Sequence, residues 1–91
     1  MKYNFEWDLE KASANKKKHK VSFEIAATIF KDPAALSIFD DEHSDFPKDR
    51  WITLGLSENG NLLVVVHTFD KIDNRTARLR IISARKATKD L

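Results

Sequence analysis

The 91-residue chain contains no cysteine, only two glycines and two prolines, and no apolar run long enough to span a membrane. Without cysteine there is no disulfide framework, no thiolate nucleophile and no cysteine-ligated zinc. So few glycines leave no glycine-rich phosphate loop, which disfavours nucleotide hydrolysis. The first residues also lack the apolar centre of a secretion signal. We therefore expect a soluble, cytoplasmic protein that forms one domain over residues 1–91, without membrane contact.

Charge is distributed unevenly along the chain, although the formal net charge is only +2. Residues 11–20 hold five lysines and no acid, and residues 71–89 hold seven cations against one acid. The segment between them, residues 32–49, carries six acids against one lysine. Charged runs are often only solvated faces, but basic clusters also attract phosphate backbones by releasing counterions. The two basic segments are therefore candidate contacts for nucleic acid.

Two helices are predicted in the first third of the chain. Asp8 can cap a helix from Leu9 to about His19, whose inward side carries Leu9 and Ala12 while Asn15 lies with the lysines on another face. Ser22 can cap a second helix, and its apolar residues fall on one face at helical spacing. These residues are Phe23, Ala26, Ala27 and Phe30.

Five segments alternate or are apolar in the manner of strands, namely residues 3–7, 36–39, 50–57, 62–69 and 77–86. The Asn59-Gly60 pair predicts a type I′ hairpin, because both central residues of that turn need positive φ. Counting outward from this turn pairs Ile52 with His67. The predicted fold is α+β, with a short N-terminal strand and two helices packed on a twisted antiparallel sheet.

The last strand is unusually basic. Alternation buries Leu79 and Ile81 and displays Arg78 and Arg80 on the other face. A regular pleat would then place Lys86 with Arg80 and put Arg85 on the opposite face, unless the strand twists or bulges near Ser83.

A series of short motifs follows one family in order along nearly the whole chain. The series reads Phe5-Glu6-Trp7-Asp8, Asn15 with Lys18-His19, Val21-Ser22-Phe23-Glu24, Asp32-Pro33, Arg50-Trp51-Ile52-Thr53-Leu54-Gly55, Leu63-Val64-Val65-Val66-His67-Thr68 and Arg80-Ile81-Ile82-Ser83-Ala84-Arg85-Lys86-Ala87-Thr88. With these motifs in this order along the sequence, the chain resembles the BrnT family of toxins. An ordered series is far more specific than any one of its motifs.

The resemblance implies a RelE-like ribonuclease toxin of a type II toxin–antitoxin system, which cleaves RNA and inhibits translation. It also implies a BrnA-like antitoxin, with two toxins and an antitoxin dimer in a heterotetramer that contacts operator DNA only through the antitoxin. Three departures from the family are visible, of which one is a turn from Asp70 to Thr76 that is longer than is common. Lys20 stands where the family usually has glycine, so a left-handed helix cap there would cost about 1 kcal/mol. The family's C-terminal helix is expected to be mostly absent, which we expect to weaken activity.

Cleavage of RNA without a metal ion or other cofactor needs a base for the 2′-hydroxyl, cations for the charged phosphorane and an acid for the leaving oxygen. Histidine suits proton transfer, and the planar guanidinium of arginine suits phosphate. We expect no metal site. The expected catalytic residues are His67, Arg80, Arg85, Lys86 and His19. The expected RNA-binding residues are Lys11, Lys18, Arg50 and Arg78.

Each candidate also has a structural alternative. His67 shares a face with apolar neighbours and can be a buried structural histidine. His19 can cap the C-terminal end of its helix, where a cation interacts favourably with the last carbonyls and the helix dipole. Arg85 can pair with Asp8 or Glu24. Trp7 and Trp51 can stack bases but are favoured as core residues. At the level of function, the alternative is a non-catalytic module that binds nucleic acid or protein through the same basic surface, which can also be chiefly the docking site of the antitoxin.

Overall fold

The computed structural model describes residues 1–43 and 49–88 of the chain. Strands and helices alternate before a run of strands. In chain order the elements are β1 (Lys2–Glu6), α1 (Leu9–His19), α2 (Phe23–Ala27), a 3₁₀ turn (Thr28–Lys31), β2 (Leu36–Phe39), a 3₁₀ turn (Asp41–His43), β3 (Arg50–Leu56), β4 (Leu62–Thr68), β5 (Asp70–Lys71) and β6 (Thr76–Lys86). The predicted α+β class is confirmed, and both predicted N-caps form, since Asp8 and Ser22 accept hydrogen bonds from the first turns of α1 and α2.

The sheet is mixed rather than purely antiparallel as predicted. Its strands lie in the order β1-β6-β4-β3-β2, with β5 also paired to β6. β1 runs parallel to β6, with Glu6 opposite Arg80 at the end of the pairing. After β1 the chain crosses one face of the sheet as α1 and α2 and enters the opposite edge of the sheet as β2. The last strand, β6, then lies beside β1, and the two run parallel because helices and strands separate them in the sequence. Tyr3 and Phe5 of β1 then pack on Phe30, which follows α2.

The hairpin between β3 and β4 forms where it was predicted, but the predicted register is wrong by one residue. His67 pairs with Trp51, not with Ile52. Gly60 has a φ of 84°, whereas Asn59 stays at negative φ, so the turn is not type I′. Ser57 instead closes the loop by hydrogen bonding to Asn61 at 2.8 Å. The loop thus has one residue more than a type I′ turn, which changes every cross-strand pair.

Both helices cover one face of the sheet, and the core lies between the two layers. The largest buried side chains of the helical layer are Phe23 and Ile29, which pack toward buried residues of β4 and β6. Gly55 lets the 3₁₀ turn approach β3, because a Cβ at this position would lie 3.0 Å from the Cβ of Ile29. The inward face of α1 differs from the predicted one. Leu9 is 80% exposed, whereas Asn15 is buried.

Asn15 is buried because its side-chain amide completes the hydrogen bonding of two other segments. Its Nδ2 donates to the carbonyl oxygens of Val21 at 3.0 Å and of Ala84 at 2.8 Å. Its Oδ1 accepts from the backbone N–H of Ala84 at 3.1 Å. β1 pairs with β6 only as far as Arg80. At Ala84, where β1 no longer lies beside β6, the side-chain amide of Asn15 therefore forms the hydrogen bonds that a neighbouring strand would form.

β6 contains the bulge on which the predicted placement of its cations depended. Val66 pairs with Ser83, but the next residue, His67, pairs with Ile81, so Ile82 is an extra residue. Ile81 and Ala84 both remain on the core face as a result. The alternation therefore changes phase in the middle of the strand, and the arginines on its two sides face the same way.

Two sequence-based expectations fall outside the described residues. The acidic loop includes residues 44–48, and the C-terminal helical turn would involve residues 89–91. Within the described ranges, no helix is long and apolar enough to cross a membrane.

Lys20 takes the left-handed conformation that the family's glycine would adopt, with φ 62° and ψ 28°. We predict that Lys20→Gly stabilises the protein by roughly 0.5–1 kcal/mol, because glycine lacks the Cβ that makes this region costly. Urea unfolding would measure the change. Lys17→Gly is the matched control, since Lys17 lies within α1 and its replacement should destabilise the protein by about 1 kcal/mol. A destabilised Lys20→Gly protein would contradict the prediction.

Candidate functional site

The face of the sheet opposite the helices carries three arginines on one strand. Arg78 and Arg80 precede the bulge of β6 and Arg85 follows it, and the phase change places all three on this side. We call this surface the open face, because none of the described helices packs on it. Arg50 begins β3 on the same side by alternation with Ile52. A regular pleat was expected to place Lys86 with Arg80 and to put Arg85 on the opposite face, and that placement is wrong. The bulge at Ile82 is the exception that the expectation named, and it puts Arg85 on the side of Arg80.

Two of these arginines are held by carboxylates of neighbouring strands. Glu6 of β1 lies 3.5 Å from Arg80 and 4.0 Å from Arg78, and Asp70 of β5 lies 3.5 Å from Arg78. All four side chains are about half-exposed or more, so solvent screens the pairs and they contribute little to stability. Their effect is to orient the guanidinium groups along the strand while leaving N–H donors free for an anion.

Arg85 differs from the other two arginines. It is half-buried, and within residues 1–43 and 49–88 it forms no ion pair with a carboxylate. The alternative pairing with Asp8 or Glu24 is therefore not formed. Asp8 instead caps α1, and hydrogen bonds from the Lys11 and Glu10 backbone, with the charges of Lys11 and Arg80, lower the pKa of its carboxyl. Arg85 is the cation of the open face whose charge is least compensated.

The part of the open face that lies over β2, β3 and β4 is mainly apolar. A shallow groove of about 370 Å³ runs over β2, β3, β4 and β6, and Arg85 and Ser83 are its polar lining residues. Leu36 and Ile38 of β2 are 66% and 63% exposed in this groove. Its other lining residues are Ile52, Leu54, Val64 and Val66. Adjacent apolar side chains of this kind mark a surface that another molecule covers.

The remaining cationic candidates lie away from the open face. Lys86 is on the helix side of the sheet, where it lines a cleft with Lys16 and Lys20. His19 ends α1 and is half-buried, and Lys11 and Lys18 are exposed on the same helix. The structure therefore brings together Arg78, Arg80, Arg85 and Arg50, and separates them from Lys86 and from the candidates on α1.

His67 also lies on the helix side, where it is buried and takes part in a chain of three side chains. Its Nδ1 is 3.0 Å from the carbonyl oxygen of Thr68, and its Nε2 is 2.7 Å from Oγ1 of Thr53. A further hydrogen bond of 2.7 Å joins Thr53 to Oγ of Ser37, which is exposed. Phe30 contacts the imidazole edge-to-face, with ring centroids 4.9 Å apart.

The direction of these hydrogen bonds follows from their acceptors. A carbonyl oxygen can only accept, so Nδ1 of His67 carries the proton and donates to Thr68. Nε2 therefore has no hydrogen and accepts one from the hydroxyl of Thr53. Because the Thr53 hydroxyl has only this one hydrogen, the hydroxyl of Ser37 must be the donor in the hydrogen bond between Ser37 and Thr53. Burial lowers the pKa of His67 below its ordinary value of 6.5, against the opposing effect of the Thr68 hydrogen bond, and this favours the neutral ring.

Sequence reasoning missed three residues that the structure associates with the candidates. Glu6 was part of a family motif, but its position beside Arg78 and Arg80 depends on the parallel pairing of β1, which was not predicted. Ser37 and Thr53 join His67 only in the observed strand register. Thr53 lies diagonally from His67, two residues beyond its partner Trp51, so the available signal, a hydroxyl side chain near a central-strand histidine, can be used only once the register is correct.

These features describe an α+β protein with an open sheet face suited to binding a polyanion. The chain matches the family model described as "Ribonuclease toxin, BrnT, of type II toxin-antitoxin system" over residues 7–90, and it belongs to that family. The resemblance seen in the ordered motifs is thereby confirmed. A ribonuclease toxin of such a system has an antitoxin partner. A search of curated proteins finds no match to the chain.

The lowered pKa of His67 predicts a pH dependence of stability. Between its ordinary pKa of 6.5 and the lower folded value, the unfolded state binds a proton that the folded state does not. Stability contributed by the neutral ring is therefore present above pH 6.5 and is lost as the pH falls. We expect the urea midpoint of the wild-type protein to decrease between pH 7.5 and 5.5.

His67→Gln should show a smaller decrease over the same interval, because its amide does not titrate. Ala14→Gln is the control and should retain the wild-type slope, since Ala14 is exposed on α1 and the replacement neither removes nor adds a titrating group. Equal slopes for wild-type protein and His67→Gln would show that His67 is not the titrating group.

Proposed function

We propose that this chain is a single BrnT-like toxin domain of RelE-like fold that cleaves RNA in the cytoplasm without a metal ion and so inhibits translation. Its partner would be a BrnA-like antitoxin, with two toxins and an antitoxin dimer in the complex and operator DNA contacted through the antitoxin alone. The observation that carries the proposal is the alignment of Arg78, Arg80 and Arg85 on the open face of a family member. Aligned guanidinium groups fit the repeating charges of an RNA backbone.

The arginines would act mainly on the transition state. Attack by the 2′-hydroxyl on the phosphate places additional charge on the phosphoryl oxygens, and guanidinium groups already in position stabilise that charge. Arg80 and Arg85 are the proposed transition-state contacts. Arg50 and Arg78 would bind adjoining phosphates.

Proton transfer has two proposed candidates in different places. His67 is kept from the sequence-based set, and its connection to the surface runs through Thr53 and Ser37. Glu6 is added because its carboxylate lies on the open face within 4.0 Å of both Arg78 and Arg80. A carboxylate beside arginines can accept the 2′-hydroxyl proton. His19, Lys86, Lys11 and Lys18 complete the proposed set as more distant contacts to RNA.

We predict that Arg80→Ala and Arg85→Ala each lower the rate of RNA cleavage by roughly 10- to 100-fold, because each removes a donor that stabilises developing charge. Cleavage of a labelled RNA by purified protein would measure the rates. Lys31→Ala is the control, since Lys31 is an exposed cation paired with Glu58 and its removal should leave the rate unchanged. Wild-type cleavage by the Arg80→Ala, Arg85→Ala double variant would contradict the proposed site.

The same assay distinguishes the proton-transfer candidates. Loss of cleavage in Glu6→Gln with retention in His67→Gln would assign the base to the open face, and the reverse result would assign it to His67. RNA binding by wild-type protein with no cleavage products would favour the non-catalytic binding module instead. Its charge variants would then lose affinity and show a reduced salt dependence.

The open face also supports a proposal for the antitoxin. Leu36 and Ile38 are exposed beside the half-buried Arg85, which has no ion-pair partner in the described part of the chain. A segment with apolar residues and one carboxylate complements this surface in both shape and charge. An antitoxin that covers the open face would shield the arginines from RNA, so binding and inhibition would be one event.

We predict that Ile38→Glu abolishes formation of the toxin–antitoxin complex, because it places a charge in the apolar groove. Co-expression with the antitoxin, followed by size-exclusion chromatography, would detect the complex. Leu9→Glu is the control, since Leu9 is also an exposed apolar residue, 80% against 63% for Ile38, and lies on α1 away from the groove. A stable complex with Ile38→Glu would place the antitoxin elsewhere.

A further inference from the structure

A second concave site lies on the helix side of the sheet, at the end where β3 begins and β4 finishes. It is a cavity of about 260 Å³, and most of its wall is aromatic. Tyr3 comes from β1, Phe30 follows α2, Trp51 begins β3 and Phe69 follows β4. Its polar lining consists of Ser37 and His67. We call it the aromatic pocket.

The walls of the aromatic pocket are not all committed to the core. Phe69 remains 38% exposed, and Trp51 is only half-buried. Trp7, in contrast, packs edge-to-face on the buried Phe23 and belongs to the core. An aromatic ring that enters the pocket would cover apolar surface that residues 1–43 and 49–88 leave exposed. Stacking on aromatic side chains is a common way to bind single-stranded nucleic acid.

The polar edge of the pocket has a defined hydrogen-bonding character. Ser37 uses its hydrogen to donate to Thr53, because Thr53 donates to Nε2 of His67 and Nδ1 of His67 donates to the Thr68 carbonyl. Oγ of Ser37 therefore presents only lone pairs to a ligand. Its complement is a planar ring that carries an N–H donor on its edge, and every nucleobase of RNA has such a donor.

We propose that the aromatic pocket binds one unstacked nucleobase of the RNA substrate, with the ring against Trp51 and Phe69 and an N–H of the base donated to Ser37. The inference rests on the proposed ribonuclease function for the identity of the ligand. It assigns to the helix side of the sheet a site for a base, in addition to the phosphate contacts of the open face.

Fluorescence of Trp51 gives a direct test. In a Trp7→Phe background Trp51 is the only tryptophan, and titration with the four 5′-nucleoside monophosphates should change its emission in a saturable way for at least one of them. Ribose 5-phosphate, which has no base, should give no saturable change. Absence of saturation with all four nucleotides at millimolar concentration, or an equal response to ribose 5-phosphate, would overturn the inference.

Variants then locate the bound base. In the same background, Phe69→Ala and Ser37→Ala should each weaken the nucleotide that binds best by about five-fold or more, the effect of one lost hydrogen bond or stacking contact. Leu9→Ala is the control, because Leu9 is 80% exposed on α1 and does not line the pocket, and it should bind as tightly as the parent protein. Unchanged binding in both Phe69→Ala and Ser37→Ala would also overturn the inference.

A ligand pair tests the N–H donor specifically. If AMP binds best, its partner ligand is the 5′-phosphate of purine riboside, which lacks only the exocyclic amino group. The parent protein should bind this analogue less tightly than AMP, whereas Ser37→Ala should bind the two ligands with about the same affinity. If another nucleotide binds best, an analogue lacking the edge N–H serves in the same way. No difference between the two ligands in the parent protein would refute the hydrogen bond to Ser37.

The outcome can be separated from that of the proposed function. Saturable base binding by a protein that does not cleave RNA would support the pocket and remove the ribonuclease mechanism. Cleavage by wild-type protein, with the same KM in Phe69→Ala and no nucleotide response at Trp51, would support the ribonuclease and remove the pocket.

Discussion

The hydrogen bonds of Asn15 hold the helical layer to the sheet at the point where the sheet would otherwise be incomplete. One side-chain amide binds both backbone groups of Ala84 and also the carbonyl of Val21, so α1, the segment before α2 and β6 meet at a single residue. Each of these backbone groups is buried, and leaving one unpaired costs about 1–3 kcal/mol. The short α1 has few apolar contacts of its own. Its position therefore depends on this amide more than on hydrophobic packing.

The same interaction bears on the functional surface, because Ala84 lies between the bulge of β6 and Arg85. The bulge changes the phase of the strand, and the amide of Asn15 fixes the strand just after the change. Without the extra residue at Ile82, alternation would turn Arg85 to the helix side of the sheet, where Lys86 now lies. The alignment of the three arginines is thus a consequence of backbone geometry. Sequence alternation alone gives the opposite arrangement.

The features that could be predicted from the sequence are those decided by local chemistry. Asp8 and Ser22 cap helices because of their own side chains, and the glycine of the Asn59-Gly60 pair turns the chain where a turn was expected. What could not be predicted depends on how distant segments meet. The direction of β1 relative to β6, and so the position of Glu6 beside the arginines, is set by the crossing of the helices. The arginines of the candidate site could therefore be named from the sequence, but their arrangement could not.

β2 connects the two surfaces on which the proposals rest. It is one of the two edge strands that the described part of the chain forms, and its four residues are all exposed. Alternation sends Leu36 and Ile38 to the open face and Ser37 toward the aromatic pocket. A polypeptide bound along this free edge would contact both sides at once, because an added strand also alternates. A partner at β2 would therefore lie beside both the proposed phosphate contacts on one face and the proposed base contacts on the other, although these surfaces lie on opposite sides of the sheet.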